Sequence, residues 1–197
     1  MVRPEGKPAR ARAAMAAAAL LFLAPGVLAP QALPACIAQG SRELLSGRPS
    51  PLDSLVVPLG AGAAKICYSR PSVRGRTIFD GLVPFGKPWR TGANEPTMLH
   101  LLVQAEVAGV RLAPGRYVVT TVPGPDQWTV IFHTTEAQDP ARMFESLVEV
   151  GRGRATPEPL DSLAEQLTIR ADPGQRPALI LEWERVRVRI PMRAVSP

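Results

Sequence analysis

Six cations and a single acid fall within residues 65–94: Lys65, Arg70, Arg74, Arg76, Lys87 and Arg90 against Asp80. Gly75, Gly81, Gly86 and Gly92 are interleaved with them, and Trp89 precedes Arg90. A guanidinium is a planar fork of donors that matches a carboxylate or phosphate. Glycine lets backbone amides come close to a bound anion. These residue types at this spacing predict capture of a small anionic group by Arg70, Arg74, Arg76, Trp89, Arg90 and Asn94. A second reading has the same arginines pairing with Asp80, Glu95 or backbone carbonyls and bracing long loops, as in a structural or interaction domain. A third makes Arg90, Asn94 and Glu95 the working groups of a hydrolase. Acid–base chemistry needs a titratable group within reach of a nucleophile. The stretch offers donors and cations but no evident base, which favours binding over catalysis.

Other chemistries find less support. His100 and His133 are the only histidines. In a meander both fall near Tyr117 on the strand between them, about 10 Å apart across two strand spacings. That is too far for both to reach one zinc ion, so they read as exposed strand positions, and neither a metal nor a cofactor is expected. The serines form no Gly-x-Ser-x-Gly elbow. Gly60-Ala61-Gly62-Ala63-Ala64-Lys65 has the glycines and lysine of a phosphate loop, but it leads into a strand pattern rather than the helix such loops use. Cys67, between Ile66 and Tyr68, reads as an inert, part-buried thiol.

The elements that must position these residues are short strands. Leu99, Leu101, Val103, Ala105 and Val107 alternate with mostly polar neighbours, which predicts a half-buried strand. Residues 116–122 and 128–134 follow as the second and third strands of a meander, with turns at Ala108-Gly109 and Pro123-Gly124-Pro125-Asp126. Near the C-terminus Leu179, Leu181 and Trp183 share one parity and Val186, Val188 and Ile190 the other. Such a phase switch needs a hairpin or a bulge; a turn at Glu184-Arg185 is the expectation, with a bulge as the alternative. Residues 139–150 alone carry a helical spacing, through Phe144, Leu147 and Val148. The fold class is therefore all-β: a β-sandwich or partly open barrel of antiparallel strands, with one short helical segment.

Residues 1–38 read as a signal segment. Arg3, Lys7, Arg10 and Arg12 precede an apolar run over residues 13–28, and small residues follow. Pro25 and Gly26 break the run after about 12 residues, short of the ~20 that a membrane-spanning helix needs. Ala38 and Cys36 satisfy the small-x-small rule for cleavage after Ala38. The alternative is a lipobox at Leu33-Pro34-Ala35-Cys36, which would acylate Cys36. Residues 39–54 read as a flexible tether and residues 55–195 as one domain. With Cys36 cut off or acylated, Cys67 has no partner, so no intramolecular disulfide is expected. The expected location is the periplasm or the extracellular space, or the envelope if Cys36 is lipidated. Loss of the signal segment also lowers the formal charge of +6. The modest cationic excess that is left gives no reason to expect nucleic acid as a partner.

Three stretches carry a family resemblance: Tyr68-Ser69-Arg70-Pro71-Ser72-Val73-Arg74-Gly75-Arg76, then Gly81-Leu82-Val83-Pro84-Phe85-Gly86-Lys87-Pro88-Trp89-Arg90-Thr91-Gly92-Ala93-Asn94, and Leu181-Glu182-Trp183-Glu184 through Val188-Arg189-Ile190-Pro191. In order and spacing they resemble the exported bacterial family of domain of unknown function 2911, over roughly residues 48–192. The resemblance implies an exported β-rich domain and supplies no activity. The functional expectation stays with the residues: a non-catalytic module that binds an acidic glycan, a carboxylate or a phospholipid headgroup through Arg/Gly-rich loops.

Overall fold

The computed structural model describes residues 33–40, 45, 47–172 and 177–195; most of the predicted signal segment lies outside them. The described strands are β1 (Leu52–Leu59), β2 (Gly62–Ser69), β3 (Thr97–Leu101), β4 (Ala105–Val107), β5 (Val110–Leu112), β6 (Gly115–Val122), β7 (Trp128–Thr134), β8 (Val148–Ala155), β9 (Pro157–Asp172) and β10 (Ala178–Ala194). They form two antiparallel sheets, ordered β1-β2-β3-β6-β7-β8 and β5-β4-β10-β9. The expected all-β class holds, as a sandwich rather than a closed barrel. The core between the sheets is built from inward parities such as Leu99, Tyr117 and Phe132 on one side and Leu181, Trp183 and Val188 on the other.

Several local expectations change. The alternating run from Leu99 to Val107 is two strands. Its polypeptide leaves the first sheet after Leu101 and enters the second at Ala105, so both residues stay in the core, while in the bend between them Leu102 and Val103 are half-buried and Gln104 is exposed. The C-terminal phase switch is a bulge, not a hairpin. β10 runs continuously, and its register against β9 shifts on both sides of Glu184. Glu184 takes a φ of 57°, and its carboxylate accepts from the amides of Ile78 and Phe79. That anchoring holds the extra residue, so Trp183 and Val188 both point inward despite opposite parity. The helical spacing at residues 139–150 yields only a 3-10 turn at Met143–Ser146 before β8 starts.

The predicted tether is shorter than expected. β1 starts at Leu52, the carbonyl of Pro51 accepts from the Arg70 amide, and Arg48 is paired with Glu95. Residues 33–40 also lie on the domain. Cys36 is disulfide-bonded to Cys67, Lys65 Nζ donates to the Pro34 carbonyl at 3.0 Å, and the Gln39 amide donates to Glu95 at 2.8 Å. The expectation of an unpartnered Cys67 is thus corrected. Acylation of Cys36 would use the sulphur that this bond uses, and cleavage after Ala38 would leave Cys36 on the other fragment. Together with the Met143 turn, Cys36 and Ile37 cover the outer face of the first sheet, over Cys67, Met98 and Val118. β3 is therefore buried on both faces, and His100, expected to be exposed, is 4% accessible.

Candidate anion-binding cleft

The long connection between β2 and β3 carries most of the predicted site residues, and its backbone is held in uncommon conformations. Arg74 (φ 50°), Asp80 (61°), Thr91 (58°) and Asn94 (55°) all lie in the left-handed region. Each such residue is costly, by roughly 1–3 kcal/mol where the conformation is strained, and persists only where its surroundings over-determine it. Thr91, β-branched and so the least suited, is locked by contacts. Its hydroxyl is 3.1 Å from that of Thr121, and its carbonyl accepts from Thr97 Oγ1 at 2.9 Å. Trp89 is fastened in the same way, exchanging two backbone hydrogen bonds with Thr121 on β6.

Around this frame lies an open cleft of about 450 Å³, lined by Arg74, Arg76, Trp89, Arg90 and Asn94 of the predicted set. Pro49, Ser50, Leu82, Val83 and Trp183 complete much of its wall, and among the described residues no acid lines it. The three tryptophans and Phe79 form one cluster beneath it: Trp89 stacks on Trp183 with ring centroids 5.6 Å apart, and Phe79 meets Trp128 edge-on. Trp183 is 1% accessible, and its Nε1 has no hydrogen-bond partner among the described residues. A buried N–H left unpaired costs about 1–3 kcal/mol.

The arginines divide between the two sequence readings. Arg70 is a brace and does not line the cleft. It donates to the Leu167 carbonyl at 3.0 Å and Thr168 Oγ1 at 2.8 Å, and it pairs with Asp53 at 3.3 Å. Arg76 holds its own loop through the carbonyls of Val73 and Ser72 while still facing the cleft. Arg90 donates to the Asn94 carbonyl at 2.8 Å and lies 5.1 Å from the Phe144 ring centroid, a cation–π contact. Asn94 in turn donates to the Ser50 carbonyl, which leaves its side-chain oxygen free. The exposed Arg74 guanidinium has no partner among the described residues; only the Arg74 amide is engaged, by Glu165.

Arg90, Asn94 and Glu95 are not brought together as a catalytic set. Glu95 is 2% accessible and accepts from Arg48 at 2.6 and 2.9 Å, from Ser69 at 2.9 Å and from the Gln39 amide. Burial alone would raise its carboxyl, but these bonds, led by Arg48, outweigh it and hold the group below its ordinary value. A carboxylate so saturated has no lone pair left to take a proton from a nucleophile. Glu95 braces the floor of the loop. His100 and His133 flank the middle of β6, opposite Arg116 and Val118 respectively, as separate residues; His133 Nε2 is 2.8 Å from Thr120 Oγ1. Among the described residues no cluster of His, Cys, Asp and Glu could hold a metal ion. Sequence reasoning missed Trp183 as part of the cleft, although its inward parity was legible. It also missed Arg48, whose position in a predicted tether hid its role.

No curated protein and no solved structure matches this chain. A family profile does, over residues 50–192, which span the whole sandwich from the wall of the cleft at Ser50 to the end of the core at Met192. On that match the chain belongs to the family described as protein of unknown function (DUF2911).

Proposed function

We propose that this protein is a non-catalytic binding module that captures a small anionic group in the cleft between Arg74, Arg90 and Trp183. The observation that carries this reading is the lining itself: among the described residues it holds three arginines and no acid, over a buried indole N–H without a partner. The charged side chains that line it among the described residues are all cations, so the complementary ligand brings negative charge and acceptor oxygens. A carboxylate or phosphate fits, whether on an acidic glycan, a free carboxylate or a phospholipid headgroup. The strained backbone at Arg74 and Asn94 supports the reading, since such conformations gather at ligand clamps. The Cys36–Cys67 bond accords with export to an oxidising compartment such as the periplasm.

Thermal melts and intrinsic fluorescence test this, because Trp89 and Trp183 line the cleft. Across uronic acids, phosphates and dicarboxylates, at least one should raise the melting temperature as RT ln(1 + [L]/Kd) and perturb the tryptophan emission. Arg74→Ala should lose that response while staying within about 0.5 kcal/mol of wild-type stability. Arg70→Ala should cost about 1–3 kcal/mol through its orphaned partners yet keep the response. If no member of the panel shifts the wild type, or if Arg74→Ala responds as the wild type does, the anion-binding reading is wrong and the loop arginines are braces.

A further inference from the structure

A second cavity, at the opposite end of β3, has a different chemistry. It is walled by Pro34 and Ile37 of the N-terminal strap, by Leu102 and Pro114, and by His100 and Arg116. No acid lines it. His100 sits in one cross-strand row between Lys65 on β2 and Arg116 on β6. Its Nε2 is buried and has no partner among the described residues. Among the described residues Arg116 makes one hydrogen bond, to Gln138 at 3.2 Å, and Lys65 makes one, to the Pro34 carbonyl. Both cations therefore keep spare donors. A neighbouring apolar cavity lined by Leu59, Val103 and Ala194 shares Leu102 and Pro114 with it. The two make one groove, apolar along its length and cationic at the His100 end.

We infer that this groove binds an unbranched aliphatic carboxylate, its head on Arg116 and His100 and its chain along Leu102 and Pro114. The head is assigned by charge. Arg116 and the His100 ring line a space in which no described residue is a carboxylate, Lys65 stands beside His100 in the same cross-strand row, and a carboxylate ligand supplies the acceptors they lack. The chain is assigned by the apolar walls that run away from that end, where a neutral or multiply charged ligand would leave either the cations or the leucines unmatched. Burial, reinforced by Arg116 and Lys65, holds the imidazole below its ordinary value. The ring therefore meets the ligand as a neutral group with one nitrogen free to carry the donated proton. The Cys36–Cys67 bond holds the Pro34–Ile37 wall in place.

Calorimetric titration of the disulfide-intact protein with decanoate tests the inference, with decanol and hexanoate as comparisons. Decanoate should bind at least tenfold more tightly than either: decanol lacks the charge and hexanoate the chain. Arg116→Gln and His100→Leu should each weaken decanoate at least tenfold. His100→Leu removes an unsatisfied polar group from a buried site and should fold as well as the wild type, so its loss of binding would not reflect unfolding. Amide shifts on decanoate addition should map to residues 35–37, 100–102 and 115–116. No binding of decanoate, equal binding of decanol, unchanged affinity in both variants, or shifts centred on Arg74 and Trp89 would each overturn the inference. The last outcome would place the ligand in the other cleft and leave the anion-binding proposal standing.

Discussion

Replacing Glu95 by alanine should be among the most damaging single changes in the loop region, and the reason is electrostatic rather than catalytic. The carboxylate accepts from Arg48 through two bonds, from Ser69 and from the Gln39 amide. Without it, the Arg48 guanidinium keeps only Ser69 Oγ as a partner among the described residues, where Arg48 Nε already has none. The side chains of the pair are 13% and 3% accessible, so little water is available to compensate. Removing one member of a buried pair costs about 3–5 kcal/mol; the residual exposure of Arg48 puts this case near ~3 kcal/mol. Against a typical stability of about 5–15 kcal/mol the loss is large but leaves a folded protein to measure. Urea denaturation at neutral pH would read the change as a shift in midpoint at constant slope. Arg48→Met should cost a similar amount. Combined with Glu95→Leu it should cost much less than the sum, with a coupling of at least ~1.5 kcal/mol, because the orphaned charge is gone. The folded carboxyl is depressed, so its contribution is present above the ordinary carboxylate value and is lost as pH falls through the lower folded one. The gap between wild type and Glu95→Ala should therefore close in acid. A Glu95→Ala midpoint within ~0.5 kcal/mol of wild type, or additive single and double variants, would refute this account and reopen an acid–base role for Glu95.

Three further outcomes follow from particular contacts. Cys36→Ser should destabilise by about 3–4 kcal/mol on the chain-entropy scale for a 31-residue separation; equal denaturation midpoints with and without reductant, or a mature chain beginning at Gln39, would show that the bond is not part of the working protein. At Gly153 an added Cβ would lie 1.9 Å from the Ala108 carbonyl oxygen, so Gly153→Ala should cost about 2 kcal/mol or more by forcing β8 away from the β4–β5 hairpin, whereas unchanged melting would mean that the sheets are free to part there. Burial holds both His100 and His133 below 6.5, so the unfolded chain takes up protons first; stability should be full above about pH 6.5 and fall below it, and His100→Leu should flatten that decline.

Much of this architecture is legible in the order of residues, for a local reason. Side chains alternate along a strand, so the two meander strands at 116–122 and 128–134 and the inward face of Leu181 and Trp183 follow from parity alone. The interleaved arginines and glycines likewise marked residues 74–94 as the unusual segment, and five of the six predicted residues do line one cleft. What parity does not carry is the choice between alternatives that look alike in one dimension. A hairpin and a bulge both invert phase at Glu184, and the bulge prevails because Ile78 and Phe79, over a hundred residues away in sequence, present amides to its carboxylate. Arg70 and Arg74 are equivalent in sequence. One is a brace because β9 brings the Leu167 carbonyl and Thr168 beside it, and the guanidinium of the other has no partner among the described residues. His100 reads as a wet strand position until residues 33–40 lie over it, and contacts that no local pattern shows hold them there: the Cys36–Cys67 bond, Lys65 to the Pro34 carbonyl and the Gln39 amide to Glu95. Pattern along the chain determines which face a residue presents; only the packing of distant segments determines what meets that face, since burial and charge pairing are properties of neighbours in space.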